Sequence, residues 1–263
     1  MNIITSTKNP EVRALKDLIK RSDVRKKKNI FIAEGVRLVE DIIKSNMPPI
    51  KLYITEELLR ERNLYIDYET VKIGDRVLNY LSDTKSPQGI IGIFKRPKYS
   101  SDDIFKGNPL LLILEDIRDP GNMGTIFRSF EAAGGTGIVL LNSCTDPFSP
   151  KCIRATMGSI ARLPFICCSD IGELKEIIDL HKNLNIYAAD MNGKSLYSMD
   201  YTLPTAFVIG NEARGVSKDI GLLTADTVSI PMKGSVESLN AAVSASIISF
   251  EAQRQRLGAD YES

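Results

Sequence analysis

Three short stretches in the C-terminal two thirds of the chain set polar side chains beside glycines just where apolar runs end. The first is Asp119-Pro120-Gly121-Asn122-Met123-Gly124-Thr125-Ile126-Phe127-Arg128. Asn122 is suited to cap a following helix, and the free N–H groups of a helix start form an anion site. Gly121 and Gly124 permit close backbone approach. Arg128, inside the helix, either grips a phosphate with two hydrogen bonds or simply closes a salt bridge. The second stretch, Val208-Ile209-Gly210-Asn211-Glu212-Ala213-Arg214-Gly215-Val216, holds an amide, a carboxylate and a guanidinium between glycines. A plain turn after a strand seldom needs that many polar groups. The third runs from Ile230 to Ser246 as IPMKGSVESLNAAVSAS. Pro231 stops a strand and Ser238 is a natural N-cap. The helix beyond is rich in Ala and Ser, so another backbone can approach it closely. Asn240, in its first turn, is hard to explain by packing alone.

Other chemistries find little support. The four cysteines, Cys144, Cys152, Cys167 and Cys168, form no CxxC pair, and the only histidine is His181. That is too few ligands at the wrong spacing for zinc or iron–sulfur, so no metal is expected. Buried reduced thiols account for the cysteines. His181 sits in a polar stretch at a predicted helix end, which argues against Ser-His-Asp chemistry. GNMGTIF is not the GxGxxG that a dinucleotide-binding turn requires. No apolar run approaches the roughly 20 residues of a membrane span, and the N-terminus lacks the apolar core of a signal peptide. A soluble cytoplasmic protein is expected.

The formal net charge of +1 hides a segregation. Residues 1–98 carry 20 Lys/Arg against 13 Asp/Glu, and residues 99–263 carry 14 against 20. The cations concentrate early, at Lys8, Arg13, Lys16, Lys20, Arg21, Arg25, Lys26, Lys27 and Lys28, with Arg37 close behind. Such a cluster either is a solvated helical face or attracts a polyanion by counterion release and steering. The asymmetry between the halves favours the polyanion.

The elements that must position these residues follow from periodicity. Residues 8–27 read as a helix burying Val12, Leu15, Leu18 and Ile19. Strands are expected at 30–33, 50–54 and 89–94, with helices at 34–44, 56–63 and from Gly74 toward Tyr80. A polar, proline-containing segment, 95–103, separates this small α/β part from the rest. Beyond it, strands at 110–114, 137–141, 164–167, 186–189, 206–209 and 227–230 alternate with helices at 122–133, 150–158, 171–181, 218–223 and 239–256. That alternation predicts a parallel sheet covered on both faces, with ligands at the C-terminal strand ends.

In order, DPGNMGTIFR, IGNEARG and IPMKGSVESLNAAVS resemble the three motifs of the SpoU (TrmH-type) RNA ribose 2′-O-methyltransferases of the SPOUT superfamily, across roughly residues 110–255. FIAEGVRLVED (Phe31–Asp41) and SPQG (Ser86–Gly89) are similar, more weakly, to the substrate-binding domain often fused to that family. The resemblance implies a SPOUT-type, trefoil-knotted parallel sheet in a catalytic domain at 107–263, behind a small N-terminal α/β RNA substrate-binding domain at 1–98. It implies S-adenosylmethionine as cofactor, held by Ile209, Gly210, Ile230, Met232, Leu239 and Asn240. It implies catalytic roles for Arg128, Asn122, Glu212, Ser238 and Asn240, and a homodimer; the basic cluster makes Lys8, Arg13, Arg25, Lys26, Lys27, Lys28 and Arg37 the residues expected to hold the RNA. The family's arginine is proposed as a general base. A guanidinium, with a pKa above about 12, rarely gives up a proton, so Arg128 could instead position phosphate and ribose. The separate N-terminal domain fits 23S ribosomal RNA better than tRNA as the substrate. A tRNA 2′-O-methyltransferase and a non-catalytic RNA-binding protein on the same scaffold are the alternatives.

Overall fold

The computed structural model describes residues 3–62, 67–141, 144–181, 183–211, 213–236 and 238–262, apart from the side chains of 259–262. Contacts group the chain into two units, Met1–Pro97 with Asp146–Ala161, and Lys98–Thr145 with Arg162–Ser263.

In the first unit, Asn9 accepts from the Glu11 N–H at 2.8 Å and Pro10 opens α1 (Pro10–Lys20), which buries Val12, Leu15, Leu18 and Ile19. The single helix expected over 8–27 is in fact two. The chain turns extended at Arg21, and α2 (Ser22–Lys28) follows. A helix end leaves carbonyls without partners. Arg25 supplies the donors: its Nη1 lies 2.9 Å from the Leu18 carbonyl and 2.8 Å from that of Ile19. Arg25 is only 2% exposed, and its other terminal nitrogen faces the Asp146 carboxylate at 3.6 Å. Expected to bind RNA, Arg25 is instead a buried guanidinium closing a helix end.

Four strands form the sheet of this unit in the order β1 (Ile30–Glu34), β4 (Ile90–Lys95), β2 (Lys51–Ile54), β3 (Thr70–Lys72). Only β2 and β3 pair in parallel. Periodicity missed β3 because three residues carry no period. Helices α3 (Val36–Lys44), α4 (Glu56–Glu61) and α5 (Asp75–Leu81) complete the order of elements up to β4. Leu15, Ile19, Ile32, Tyr53, Val77 and Ile91 share one core cluster. Against β1 packs α8 (Pro150–Thr156), and Phe148 sets its ring 5.5 Å from that of Phe31. Asp146–Ala161, inside the continuous 107–263 range expected from the sequence, therefore pack with the first unit.

The second unit is a six-stranded sheet in the order β10 (Asp226–Ser229), β8 (Asn185–Ser195), β9 (Thr205–Ile209), β5 (Leu110–Glu115), β6 (Gly137–Leu141), β7 (Phe165–Cys168). Every pairing is parallel. β5, β6 and β9 are buried at every residue, which is why they read as unbroken apolar runs. The helices are α6 (Ser101–Ile104), α7 (Pro120–Ala132), α9 (Ile171–Leu180), α10 (Lys218–Gly221) and α11 (Ala241–Glu262). From β9 the chain passes beyond β8 to place β10 at the sheet edge, and α11 then returns to pack on α7 and β9. His181, at the end of α9, stacks flat on Phe105 with 3.7 Å between ring centroids, a packing role.

Candidate active site

The middle of β8, the C-terminal ends of β9 and β10 and the segment entering α11 line a cavity of about 420 Å³. Ile209 and Gly210 reach it from β9, Ile230 and Met232 from beyond β10, and Ser238 and Leu239 from the approach to α11. The second and third glycine-containing stretches thus share one wall. Gly210 must be glycine, because a Cβ there would collide with the Gly215 carbonyl across the turn that Asn211 and Gly215 close.

Asn240 does not line this cavity but stands between residues that do. Its side chain corrects two expectations. Asn240, not Ser238, caps α11: its Oδ1 accepts from the Ala242 N–H at 2.9 Å, and the helix starts at Ala241. Likewise Asp119, not Asn122, caps α7, accepting from the N–H groups of Gly121 and Asn122 at 2.7 and 2.9 Å with Pro120 in the first turn. Pro120 fixes that earlier start, since its φ suits the first helical position. The Asn122 amide serves another purpose: its Oδ1 accepts from the Asn240 Nδ2 at 3.0 Å. The two helix starts are joined through these amides. Further along the same seam the Ser246 hydroxyl donates to that of Ser129 at 2.8 Å. Arg128, beside Ser129, is exposed on α7 and is not among the residues lining the cavity. Glu212 lies outside the described residues.

Sequence reasoning missed Asp190, Met191 and Asn192 after the buried part of β8, and it marked Asn211 and Arg214 between the glycines without giving them a role. The signal was present, because Ala188-Ala189-Asp190 makes the same apolar-to-polar switch, here within β8. No recognised motif covered it. Asn211 also ties the second stretch to β5. Its Nδ2 donates to the Asp116 carbonyl at 3.1 Å, and Asp116 holds a left-handed φ of 53°. Buried Glu115 accepts from the Ser217 N–H at 2.8 Å. Asn211, Arg214 and Gly215 also border a second, polar cleft with Glu115, Asp116, Arg118, Ser169 and Ser217.

Among the described residues, no cysteine lines either cavity. Burial pushes the Cys144 thiol up to about 11 and the Cys168 thiol up to about 12. Among the described residues no group of three His, Cys, Asp or Glu could hold a metal ion. Among them, too, no helix is long and apolar enough to cross a membrane.

In the first unit, Lys8, Arg13, Lys26, Lys27, Lys28 and Arg37 are exposed, unlike Arg25. The two weaker motifs meet in space. Gln88 Oε1 accepts from the Val36 N–H at 3.0 Å, and Gly35 takes a φ of 106° that only glycine adopts readily. Thr84 and Ser82 both donate to Glu34, Thr84 at 2.9 Å.

Residues 109–250 match the SpoU rRNA Methylase family and residues 9–92 the MRM3-like substrate binding domain. An uncharacterized tRNA/rRNA methyltransferase of Synechocystis sp. is 30% identical over 97% of this chain and 95% of its own. The 23S rRNA (guanosine(2553)-2′-O)-methyltransferase RlmP of Bacillus subtilis is 28% identical over 94% of this chain and 98% of its own. The SpoU methyltransferase AviRb of Streptomyces viridochromogenes, solved in complex with AdoMet, superposes with a TM-score of 0.87 at 27% identity, over 95% of this chain and 99% of that one. With the family profile matching more than half of the chain, two glycine-containing stretches lining one cavity and the third joined to them through Asn122 and Asn240, this chain belongs to the SpoU rRNA methylase family.

Proposed function

We propose that the protein transfers a methyl group from S-adenosylmethionine to a ribose 2′-hydroxyl of RNA, with 23S ribosomal RNA as its substrate. One observation carries the reading: two of the three motif stretches line a single cavity, and Asn240 ties the third to it through Asn122. The cavity fits the cofactor. Its 420 Å³ lies within the roughly 300–1,000 Å³ of small-molecule sites. Ile209, Ile230 and Leu239 offer apolar surface to an adenine ring, and the main chain at Gly210, Ile230 and Leu239 offers hydrogen bonds to its edge. Met232 would close the same wall. Bound there, the cofactor supplies an electrophilic methyl on a sulfonium leaving group.

The chain's own task is to align the ribose oxygen and relieve it of its proton. Arg128 is exposed, with no burial to strip water from its guanidinium, so it serves to grip phosphate or ribose rather than as a base. Asn122 and Asn240 order the two helix starts beside the reacting oxygen, and Ser238 and Glu212 complete the polar face. The 2′-hydroxyl requirement makes the enzyme selective for RNA over DNA.

In this reading residues 1–98 bind substrate RNA and residues 107–263 carry the methyltransferase. Lys8, Arg13, Lys26, Lys27, Lys28 and Arg37 supply the phosphate contacts. The enzyme works in the cytoplasm, as a homodimer. Val243, Phe250 and Leu257 support the dimer: they recur at heptad spacing on α11 and are 46–49% exposed, an apolar stripe that a second copy would cover.

The test is transfer of labelled methyl to purified 23S rRNA and to tRNA, followed by mapping of 2′-O-methyl nucleotides. Label in 23S rRNA is expected. Arg128→Ala should lower turnover by about 100-fold or more and leave cofactor binding intact. Label in tRNA alone, or cofactor binding without any transfer, would replace this reading.

A further inference from the structure

The cavity wall mixes apolar side chains with uncharged polar ones, and among its described lining residues only Asp190 and Arg214 are charged. They come from neighbouring strands. Asp190 lies in β8 and Arg214 in the loop leaving β9, and β8 pairs with β9 in parallel. Both side chains are exposed, and neither has an ion-pair partner among the described residues. Asp190 has one oxygen committed, with Oδ1 accepting from the Asn192 N–H at 2.8 Å. That bond holds the carboxylate against its own strand and leaves Oδ2 available. Two other exposed cations in this part of the chain are paired, Arg118 with Asp116 at 2.9 Å and Lys194 with Asp226.

A carboxylate and a guanidinium as the two charged groups among the described residues lining one cavity match a zwitterion. S-adenosylmethionine carries one, the ammonium and carboxylate of its methionine end. We propose that Asp190 receives the cofactor's α-ammonium and Arg214 its α-carboxylate. This rests on the cofactor assignment above and adds to it a polar end of the site. The apolar residues then hold the adenosine end, while the two charges set the direction in which the ligand lies. Charge-assisted hydrogen bonds are the stronger class, and a guanidinium fork matches a carboxylate with two parallel bonds. Arg214 also borders the second, polar cleft.

The experiment compares two ligands by calorimetry on the intact protein. S-adenosylmethionine has the amino-acid end and 5′-methylthioadenosine lacks it. Asp190→Asn keeps the acceptor for the Asn192 N–H and removes only the charge; Arg214→Gln removes the guanidinium. Each variant should weaken S-adenosylmethionine by about tenfold and change 5′-methylthioadenosine by less than about twofold. Equal loss for both ligands would make these residues shapers of the wall and overturn the proposal, as would no loss for either. Loss of RNA affinity in Arg214→Gln with cofactor affinity unchanged would assign Arg214 to the substrate instead. If the unaltered protein binds neither ligand, the cofactor assignment itself fails, a result distinct from all of these.

Discussion

At the scale of single residues, the amide pair Asn122–Asn240 separates folding from chemistry. Asn240→Ala removes the α11 cap and should cost about 1 kcal/mol in urea denaturation. Asn240→Asp keeps the capping oxygen but loses the donor to Asn122, so stability should stay near that of the unaltered protein while methyl transfer falls. A transfer rate unchanged in Asn240→Asp would reduce the pair to packing. The thiols give a simpler check. Cys167 is exposed, whereas burial raises the Cys168 thiol to about 12 and that of Cys144 to about 11. Alkylation of the native protein near neutral pH should therefore label Cys167 first, as read by mass spectrometry. Much of the site is legible in the sequence, because glycines and polar groups at strand ends leave a local trace. Ile209, Gly210, Ile230, Met232 and Leu239 do line the cavity. Which side chain caps a helix is not legible. Asp119, Asn122, Ser238 and Asn240 are all good caps by type, and only the path of the backbone chooses among them.

At the scale of elements, the clearest departure from periodicity is the break between α1 and α2. An apolar stripe continuous in sequence predicts one helix, and by sequence Arg25 is one cation among many. Its burial depends on Asp146, more than 100 residues away, so no local pattern could show it. Asp146 also accepts from the Ser22 hydroxyl at 2.7 Å and faces Arg96 at 3.6 Å. Asp146→Ala strands a buried guanidinium and should destabilise the protein by about 3 kcal/mol in chemical denaturation. Loss of less than about 1 kcal/mol would show that water reaches Arg25. Buried parallel strands such as β5 and β9 are legible because their apolar runs meet helices on both faces. The three-residue β3 is not, since its only support is pairing with β2.

At the scale of the whole molecule, two surfaces carry predictions. Phe250→Glu places a charge on the exposed stripe of α11 and should convert a dimer to a monomer in light scattering. An unchanged mass would remove that stripe from any interface. Replacing Lys26, Lys27 and Lys28 together by Gln should weaken RNA binding and lower its salt dependence, by about 0.7–0.9 in log–log slope for every phosphate no longer neutralised. A slope equal to that of the unaltered protein would move the RNA-binding face elsewhere.

The segment Asp146–Ala161 has a consequence for how the protein can be made and divided. It leaves the second unit between β6 and β7, packs α8 against β1, and returns. The N-terminal unit is therefore not finished when residue 97 leaves the ribosome; β1 waits for α8, which lies within some sixty further residues. Nor can a single cut separate the units, because the chain crosses between them three times. A fragment ending at residue 98 would expose Phe31 and lose the counter-ion of Arg25. It should aggregate where the full chain stays dispersed. A gene fragment that stops at the motif boundary would cut through a fold that the boundary does not mark.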